Sequence, residues 1–313
     1  MQPKVIPSLP ASKLIEAFGA ELEFFRELAP LTSFETGGPA RYFLVARSVE
    51  DVVRAVRSAG ALAIPVFVMG GGSNLLVSDD GFDGLVIKLE IKGLQLADSR
   101  LVEVGGGEQL IDVVNFTTEN SMSGLEFAAG IWGSVGGAIY GNAGAFGGEV
   151  GQVLEKAVLV DSKGGVRTES APFFRFAYRH SRLKETHEIV ASATFGLTPG
   201  KKPEIERRVD EILARRAERH PDRRTAGCFF RNIPDPSQEH GKLPAGKLLE
   251  EVGARELCVG GARVYDKHAN IIVNTGLATS KDIRQLADML KKRVLDRFGI
   301  ELQEEVQQLG SFQ

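Results

Sequence analysis

Hydrophobic positions along the first third of the chain change period repeatedly. Leu14, Ile15, Phe18 and Leu22 recur at helical spacing and predict a helical lead-in within residues 1–30. "PARYFLVA" follows as a strand-type run. "SVEDVVRAVRSAG" returns to the helical period, with Ser48 at the N-cap, Asp51 at the capping-box position and Gly60 to end it. "IPVFVM" then predicts a buried strand running into the glycine loop "GGGSNL", and "GLVIKL" a further strand. The pattern over about 31–90 is β-α-β.

From about 91 to 197 short strands alternate with one helix. "LVEVGGG", "KAVLVDSKGGVR" and "HEIVASATFGL" are the strands, and "GEQLIDVVNFTTEN" is the helix. Lys163, Gly164 and Gly165 signal a turn between strands. "TPGKKP" (198–203) interrupts both periods and is the expected linker. Beyond it come a charged amphipathic helix ("PEIERRVDEILARRAERH"), a short helix ("PAGKLLEEVG"), a hairpin ("GGARVYDKHANIIVN") and a last helix ("TSKDIRQLADMLKKRVLDRFG") capped at Thr279 or Ser280. The Arg/Glu run of the amphipathic helix is a solvated face. The expected fold class is α+β in three segments, 1–90, 91–200 and 201–313.

Composition sharpens this picture at one point. The chain has 36 glycines in 313 residues, well above the usual share of about 7%. Nine of them fall within "GIWGSVGGAIYGNAGAFGGEVG" (130–151). Glycine in an ordered segment costs roughly 0.5–1 kcal/mol relative to alanine, so this density needs a cause. The spacers Ile131, Trp132, Val135, Ala138, Ile139 and Phe146 imply burial, and buried loop backbone must find hydrogen-bond partners. A pyrophosphate is a suitable partner, and "GGGSNL" (70–75) is a second cradle of the same kind. Neither segment has the GxGxxG spacing of a common dinucleotide fingerprint, and no Walker lysine is present.

The remaining counts mostly exclude. Net charge is −3 with no Lys/Arg run, which argues against nucleic acid as a main partner. No stretch approaches the roughly 20 apolar residues that span a bilayer, and the start of the chain lacks a continuous apolar segment, so a cytoplasmic protein is expected. Cys228 and Cys258 are too few for a disulfide framework. With no CxxC or HxxxH spacing, no metal is expected. Cys258 reads as a core residue.

The two glycine segments, with "TGGPA" (36–40), "FAYRHSRLK" (176–184), "AGCFFRN" (226–232), "AGKLLEEVG" (245–253), "GGARVYDKHANIIVN" (260–274) and "FGIELQEEVQQLG" (298–310), resemble the UDP-N-acetylenolpyruvoylglucosamine reductase (UDP-N-acetylmuramate dehydrogenase) family. The likeness runs in order over about residues 30–310. It points to the shorter subclass, since no long tyrosine-bearing insertion lies between 180 and 300. It implies a two-subdomain FAD-binding fold of the vanillyl-alcohol-oxidase type followed by a substrate-binding domain. FAD and NADPH are the implied cofactors, a UDP-sugar the substrate, and a monomer the working form.

The resemblance implies that FAD lies against Thr36, Gly37, Gly70, Gly71, Gly72, Ser73, Asn74, Leu75, Gly130, Ser134, Val135, Gly136, Gly137 and Asn142, with main-chain amides donating along its length. The implied reaction is NADPH-dependent reduction of the enolpyruvyl ether, giving UDP-N-acetylmuramate. Arg179 matches the arginine that stabilises developing charge, and its planar fork suits a carboxylate. Glu305 matches the glutamate beside that carboxylate. Two negative groups repel, so it acts protonated or through Arg179. Glu304 is the rival register. Cys228 stands where the family has a serine proton donor, and an ordinary thiol (pKa about 8.5) is a stronger acid than a hydroxyl. Arg231, Asn232 and His268 match substrate-contacting positions; Arg231 replaces a common lysine, and Trp132 a frequent proline. The rival readings are a related FAD-dependent sugar or lactone oxidoreductase, and a silent nucleotide-binding protein that kept the fold.

Overall fold

Local chemistry fixes many of the element ends. The Val49–Ala61 helix starts where the Ser48 hydroxyl accepts from the Asp51 amide, and the Asp51 carboxylate accepts from the Ser48 amide in return. Gly60 does not end it. That residue lies in the last turn, Leu62 is the C-cap, and Ala63 takes the left-handed conformation (φ 52°). The Ser280–Phe298 helix carries the same box between Thr279 and Asp282 and stops at Gly299, whose φ of 69° suits a residue without Cβ.

The computed structural model describes residues 9–222, 224–238 and 241–312, and the chain groups into two compact units. The first comprises residues up to Arg26, Ala40–Gly70 and Asp83–Glu206. One sheet has the order Glu23–Glu27, Pro39–Ala46, Phe82–Leu89, Val66–Met69, the last pair being parallel. Val66–Met69 is therefore an edge strand, and of its residues only Met69 is buried; the expectation of a buried strand fails because no strand among the described residues pairs beyond it. A second, antiparallel sheet runs Val166–Ser170, Leu154–Val160, Ile189–Gly196, Leu101–Gly105, Leu94–Leu96. The two sheets share a core. Leu44, Leu85 and Ile87 of one join Val160, Ile189 and Ala191 of the other, together with Leu14 and Phe18 of the Leu9–Phe18 helix. Each such large side chain contributes roughly 1.5–3 kcal/mol by burial.

The second unit comprises Glu27–Pro39, Gly71–Phe82 and Arg207–Gln313. Its antiparallel strands Cys258–Val259, Ala262–Tyr265 and His268–Asn274 pack with the helices Ala245–Glu251 and Ser280–Phe298, burying Leu249, Ile272, Leu286 and Leu290. Leu75–Val77 pairs in parallel with Gln307–Leu309. Two excursions from the first 90 residues thus join the C-terminal part of the chain.

Three sequence expectations need correction. "TPGKKP" is not a free linker: Thr198–Pro199 pairs with Met122–Ser123, and the Lys202–Arg219 helix begins inside the segment. The division between units falls within that helix, at Glu206/Arg207. Cys258 is exposed, because its two-residue strand lies at a sheet edge. The 130–151 segment is not loop throughout, since Val135–Gly141 is helical; Trp132 and Phe146 are 46% and 48% exposed instead of buried.

Candidate functional site

The two glycine segments meet in the first unit. A Cβ on Gly70 would lie 2.1 Å from the Ser134 hydroxyl, so residues 64 positions apart touch only because Gly70 is bare. Ser134 caps the Val135–Gly141 helix by accepting from the Gly137 amide. The amides at the start of this helix are already used. Val135 donates to the Glu108 carbonyl, Gly136 to the Gly106 carbonyl and Ala138 to the Ser134 carbonyl. Amide donation to a ligand along the whole segment is therefore excluded at these positions. Gly137 and Gly141 differ from Gly70: neither has a positive φ, and a Cβ would meet nothing closer than the Ser134 hydroxyl at 3.5 Å or nothing at all. Nothing in the fold of the unit requires them to be glycine, although each weakens the helix by roughly 0.8–1 kcal/mol against alanine.

The end of this helix holds Arg179. Asn142 adopts the left-handed conformation (φ 45°) and is fully buried. Its Nδ2 donates to the Ala177 carbonyl at 3.0 Å, and its Oδ1 accepts from the Gly151 amide at 2.9 Å. Ala177 and His180 exchange backbone hydrogen bonds around Tyr178 and Arg179, and Arg179 itself has φ 54°. The Lys184 ammonium donates to the Arg179 carbonyl at 2.8 Å, and the Ser181 hydroxyl to the Tyr140 carbonyl at 2.7 Å. The guanidinium lies 5.3 Å from the Tyr178 ring centroid. Asn142 thus spends its side chain on the protein and fixes the turn that carries Arg179.

In the Gly70–Leu75 loop the carbonyls turn inward. Lys88 donates to the Gly70 carbonyl within the first unit; in the second, the Ser33 amide donates to Gly72 at 3.0 Å and the Ser33 hydroxyl to Ser73 at 3.2 Å. Because a trans peptide points its N–H opposite to its C=O, the amide edges of Gly71, Ser73 and Asn74 face the other way. Gly72 needs its bareness: φ is 66°, and a Cβ would sit 2.0 Å from the Leu31 carbonyl. Thr36 is buried, with its hydroxyl accepting from Ser280 at 2.8 Å. Gly37 packs on Val77 and Leu75 is buried in its strand. Gly130 has φ 71°.

The second unit brings Cys228 and Glu305 onto adjoining chain segments. The Glu305 amide donates to the Phe229 carbonyl and the Arg231 amide to the Gln303 carbonyl, both at 2.8 Å. On the other side Asn270 grips Phe230 twice, accepting from its amide (2.9 Å) and donating to its carbonyl (2.8 Å), while Phe229 donates to the Asn270 carbonyl. The Asn74 side chain donates to the Glu305 carbonyl at 3.0 Å, so this residue supports a catalytic candidate. Asn232 accepts from the Ala245 amide at the start of the Ala245–Glu251 helix. Arg231 buries its Nε without a hydrogen-bond partner, a donor suited to an anionic ligand. Glu304 is committed to Arg284 and Lys291.

His268 accepts from the Asn270 amide through Nδ1 and lies 5.7 Å, ring to ring, from His220. Burial, then Arg216 and His268, pulls His220 down to about 4. Burial also lowers His268, against the opposing charge of Glu250. Lys88 is lowered by burial too.

Asn270, Lys88 and His220 escaped the sequence reading. Asparagine is depleted in strands, so Asn270 inside "HANIIVN" was a usable signal; Lys88 inside "GLVIKL" carried a weaker one. Among the described residues no group of three or more His, Cys, Asp or Glu could hold a metal ion, and no helix is long and apolar enough to cross a membrane.

Comparison with known proteins bears on all of this. A model of the FAD binding domain matches residues 40–170, and one of the UDP-N-acetylenolpyruvoylglucosamine reductase C-terminal domain matches residues 219–309. A UDP-N-acetylenolpyruvoylglucosamine reductase of Heliobacterium modesticaldum is 39% identical over 284 residues, covering 89% of this chain and 88% of that one. The crystal structure of UDP-N-acetylenolpyruvylglucosamine reductase from Thermus caldophilus matches with a TM-score of 0.77 at 33% identity, over 93% of this chain and 98% of that chain. A glucose dehydrogenase, Phl p 4.0202, matches with a TM-score of 0.50 at 17% identity, over 62% of this chain and 45% of that chain; this likeness is of fold alone.

Proposed function

The chain belongs to the UDP-N-acetylenolpyruvoylglucosamine reductase family, and from that premise we propose that Arg179, Cys228 and Glu305 carry out its chemistry. It is an FAD-containing, NADPH-dependent oxidoreductase that reduces the enolpyruvyl ether of UDP-N-acetylenolpyruvoylglucosamine to UDP-N-acetylmuramate, in peptidoglycan precursor synthesis. The two sheets of the first unit are read as the cofactor-binding subdomains expected over residues 1–90 and 91–200, with Glu27–Pro39 and Gly71–Phe82 joining the second unit, and Arg207–Gln313 as the bulk of the substrate-binding domain. The enzyme acts as a cytoplasmic monomer.

The residues fit FAD. The amide edges of Gly71, Ser73 and Asn74 suit phosphate oxygens, and the bare helix face at Gly137 and Gly141 admits a flat ring system at van der Waals distance. When bound, FAD would supply hydride transfer from NADPH to the vinylic carbon of the substrate. The adjacent carbon then carries negative charge that spreads into the attached carboxylate. Arg179 offers that carboxylate a bidentate, permanently charged fork, and Glu305 orients it. Cys228 gives its Sγ proton to the carbon, and solvent restores it. Arg231, Asn232 and His268 hold the sugar nucleotide, with Arg231 serving a phosphate.

The observation that carries this reading is the ladder joining Phe229 to Glu305, braced by Asn270 on one side and Asn74 on the other. It gives the proton donor and the carboxylate partner a common rigid support. The test is spectroscopic. Under anaerobic conditions NADPH should bleach the visible flavin band, and the enolpyruvyl sugar nucleotide should restore it. A band restored only by oxygen would overturn the reading in favour of a sugar or lactone oxidoreductase.

A further inference from the structure

Glu304 is the neighbour of the proposed catalytic Glu305, and its surroundings are unusually well satisfied. The Arg284 guanidinium approaches it with two nitrogens, at 2.7 Å and 2.9 Å. Lys291 adds a contact at 3.1 Å and Gln308 one at 2.6 Å. Arg284 is held in turn by Asp288, one helical turn along the Ser280–Phe298 helix. Both partners are mostly buried, with side-chain exposures of 14% for Arg284 and 15% for Glu304. Burial alone would raise the Glu304 pKa; Arg284, Lys291 and Gln308 more than offset it and hold the carboxylate below its usual range.

This ion cluster has a geometric consequence for Glu305. In the extended segment from Leu302 to Val306, Leu302 and Val306 are buried in the core of this unit, and Glu304 faces the same way, into the helix. Alternation then sends Glu305 to the opposite face. A one-residue slip would exchange the two glutamates and also turn Leu302 and Val306 out of the core, so the apolar pair opposes it. The apolar pair selects the face, and the bidentate Arg284 adds a directional hold on the carboxylate at 304.

We propose that the Arg284–Glu304 ion pair, seconded by Lys291, is a positioning device that clamps the Leu302–Val306 segment in the register its apolar pair selects and so aims Glu305 at the substrate. This rests on the catalytic reading of Glu305 above. In this role Arg284 and Glu304 act through Glu305, as positioning residues.

The experiment is a double-mutant cycle on the FAD-loaded enzyme, read as the ratio of two rates: reoxidation by the enolpyruvyl sugar nucleotide over reduction by NADPH. Arg284→Met should lower this ratio roughly 10–100-fold, the scale of a misplacement of about 1 Å. In a Glu305→Gln background the same substitution should change it less than threefold. Arg284→Lys should recover part of the loss, because a point charge replaces the fork. Should Arg284→Met fold poorly, Glu304→Gln supplies the same cycle with the guanidinium retained. Equal effects of Arg284→Met in both backgrounds, or none in either, would overturn the positioning role. If Glu305→Gln alone leaves the ratio unchanged, the catalytic reading of Glu305 fails first, and the inference falls with it.

Discussion

The Gly130–Asn142 segment and the Cys228–Asn232 segment solve opposite problems. In the first, a helix face is left without side chains at Gly137 and Gly141. In the second, side chains are carried on a backbone ladder braced by Asn270 and Asn74. The difference separates two kinds of glycine. Gly70 and Gly72 are bare because the protein itself occupies the space, at 2.1 Å and 2.0 Å. Gly137 and Gly141 have no such neighbour.

Four substitutions would break or sharpen that contrast. The largest effect is expected at Arg179, the proposed charge-stabilising residue, which the glycine segment carries through the Asn142-supported turn. Arg179→Met should slow flavin reoxidation by the sugar nucleotide roughly 10²–10³-fold, the range seen when a charge-stabilising donor is removed; rapid mixing would measure it. Gly72→Ala comes next. It should cost roughly 2–3 kcal/mol in denaturant unfolding, because both its φ and the Leu31 carbonyl oppose a Cβ. Gly137→Ala should act in two directions. The FAD-free protein should gain about 1 kcal/mol, while FAD affinity, read by fluorescence quenching, should weaken about tenfold, or roughly 1.4 kcal/mol. A gain in both would mean that the helix face lies away from the cofactor.

The smallest effect is in pH dependence. His220 has a folded-state pKa of about 4, below its ordinary 6.5, so the unfolded chain binds the proton first as pH falls. Its contribution to stability is complete above about pH 6.5 and is lost progressively towards pH 4. His220→Gln should reduce the slope of unfolding midpoint against pH in that window. The slope should not vanish, because His268 is lowered in the same direction.

Much of the fold was legible because its signals are local. The Ser48/Asp51 and Thr279/Asp282 boxes, the Lys163–Gly165 turn and the alternating periods each depend on residues a few positions apart. The glycine density marked a real feature, though it could not separate helix from loop, since Val135–Gly141 is held by carbonyls of Gly106 and Glu108 from elsewhere in the chain. Burial was misjudged at Trp132, Phe146 and Cys258 for a similar reason: hydrophobicity states a preference, and edge or loop position decides the outcome. The contacts that organise the site are long-range. Gly70 against Ser134, Lys88 on Gly70, Asn270 on Phe230 and Arg284 on Glu304 have no periodic trace.

The most direct test of the central claim compares Cys228→Ser with Cys228→Ala in a single turnover. Each FAD-loaded variant is reduced anaerobically with NADPH and then mixed with the enolpyruvyl sugar nucleotide. The serine variant should reoxidise and form product, whereas the alanine variant should bleach normally and reoxidise at least about 10²-fold more slowly, as expected for loss of a general acid. Reoxidation of the alanine variant at the rate of the unaltered enzyme would contradict the account and place the proton donor elsewhere.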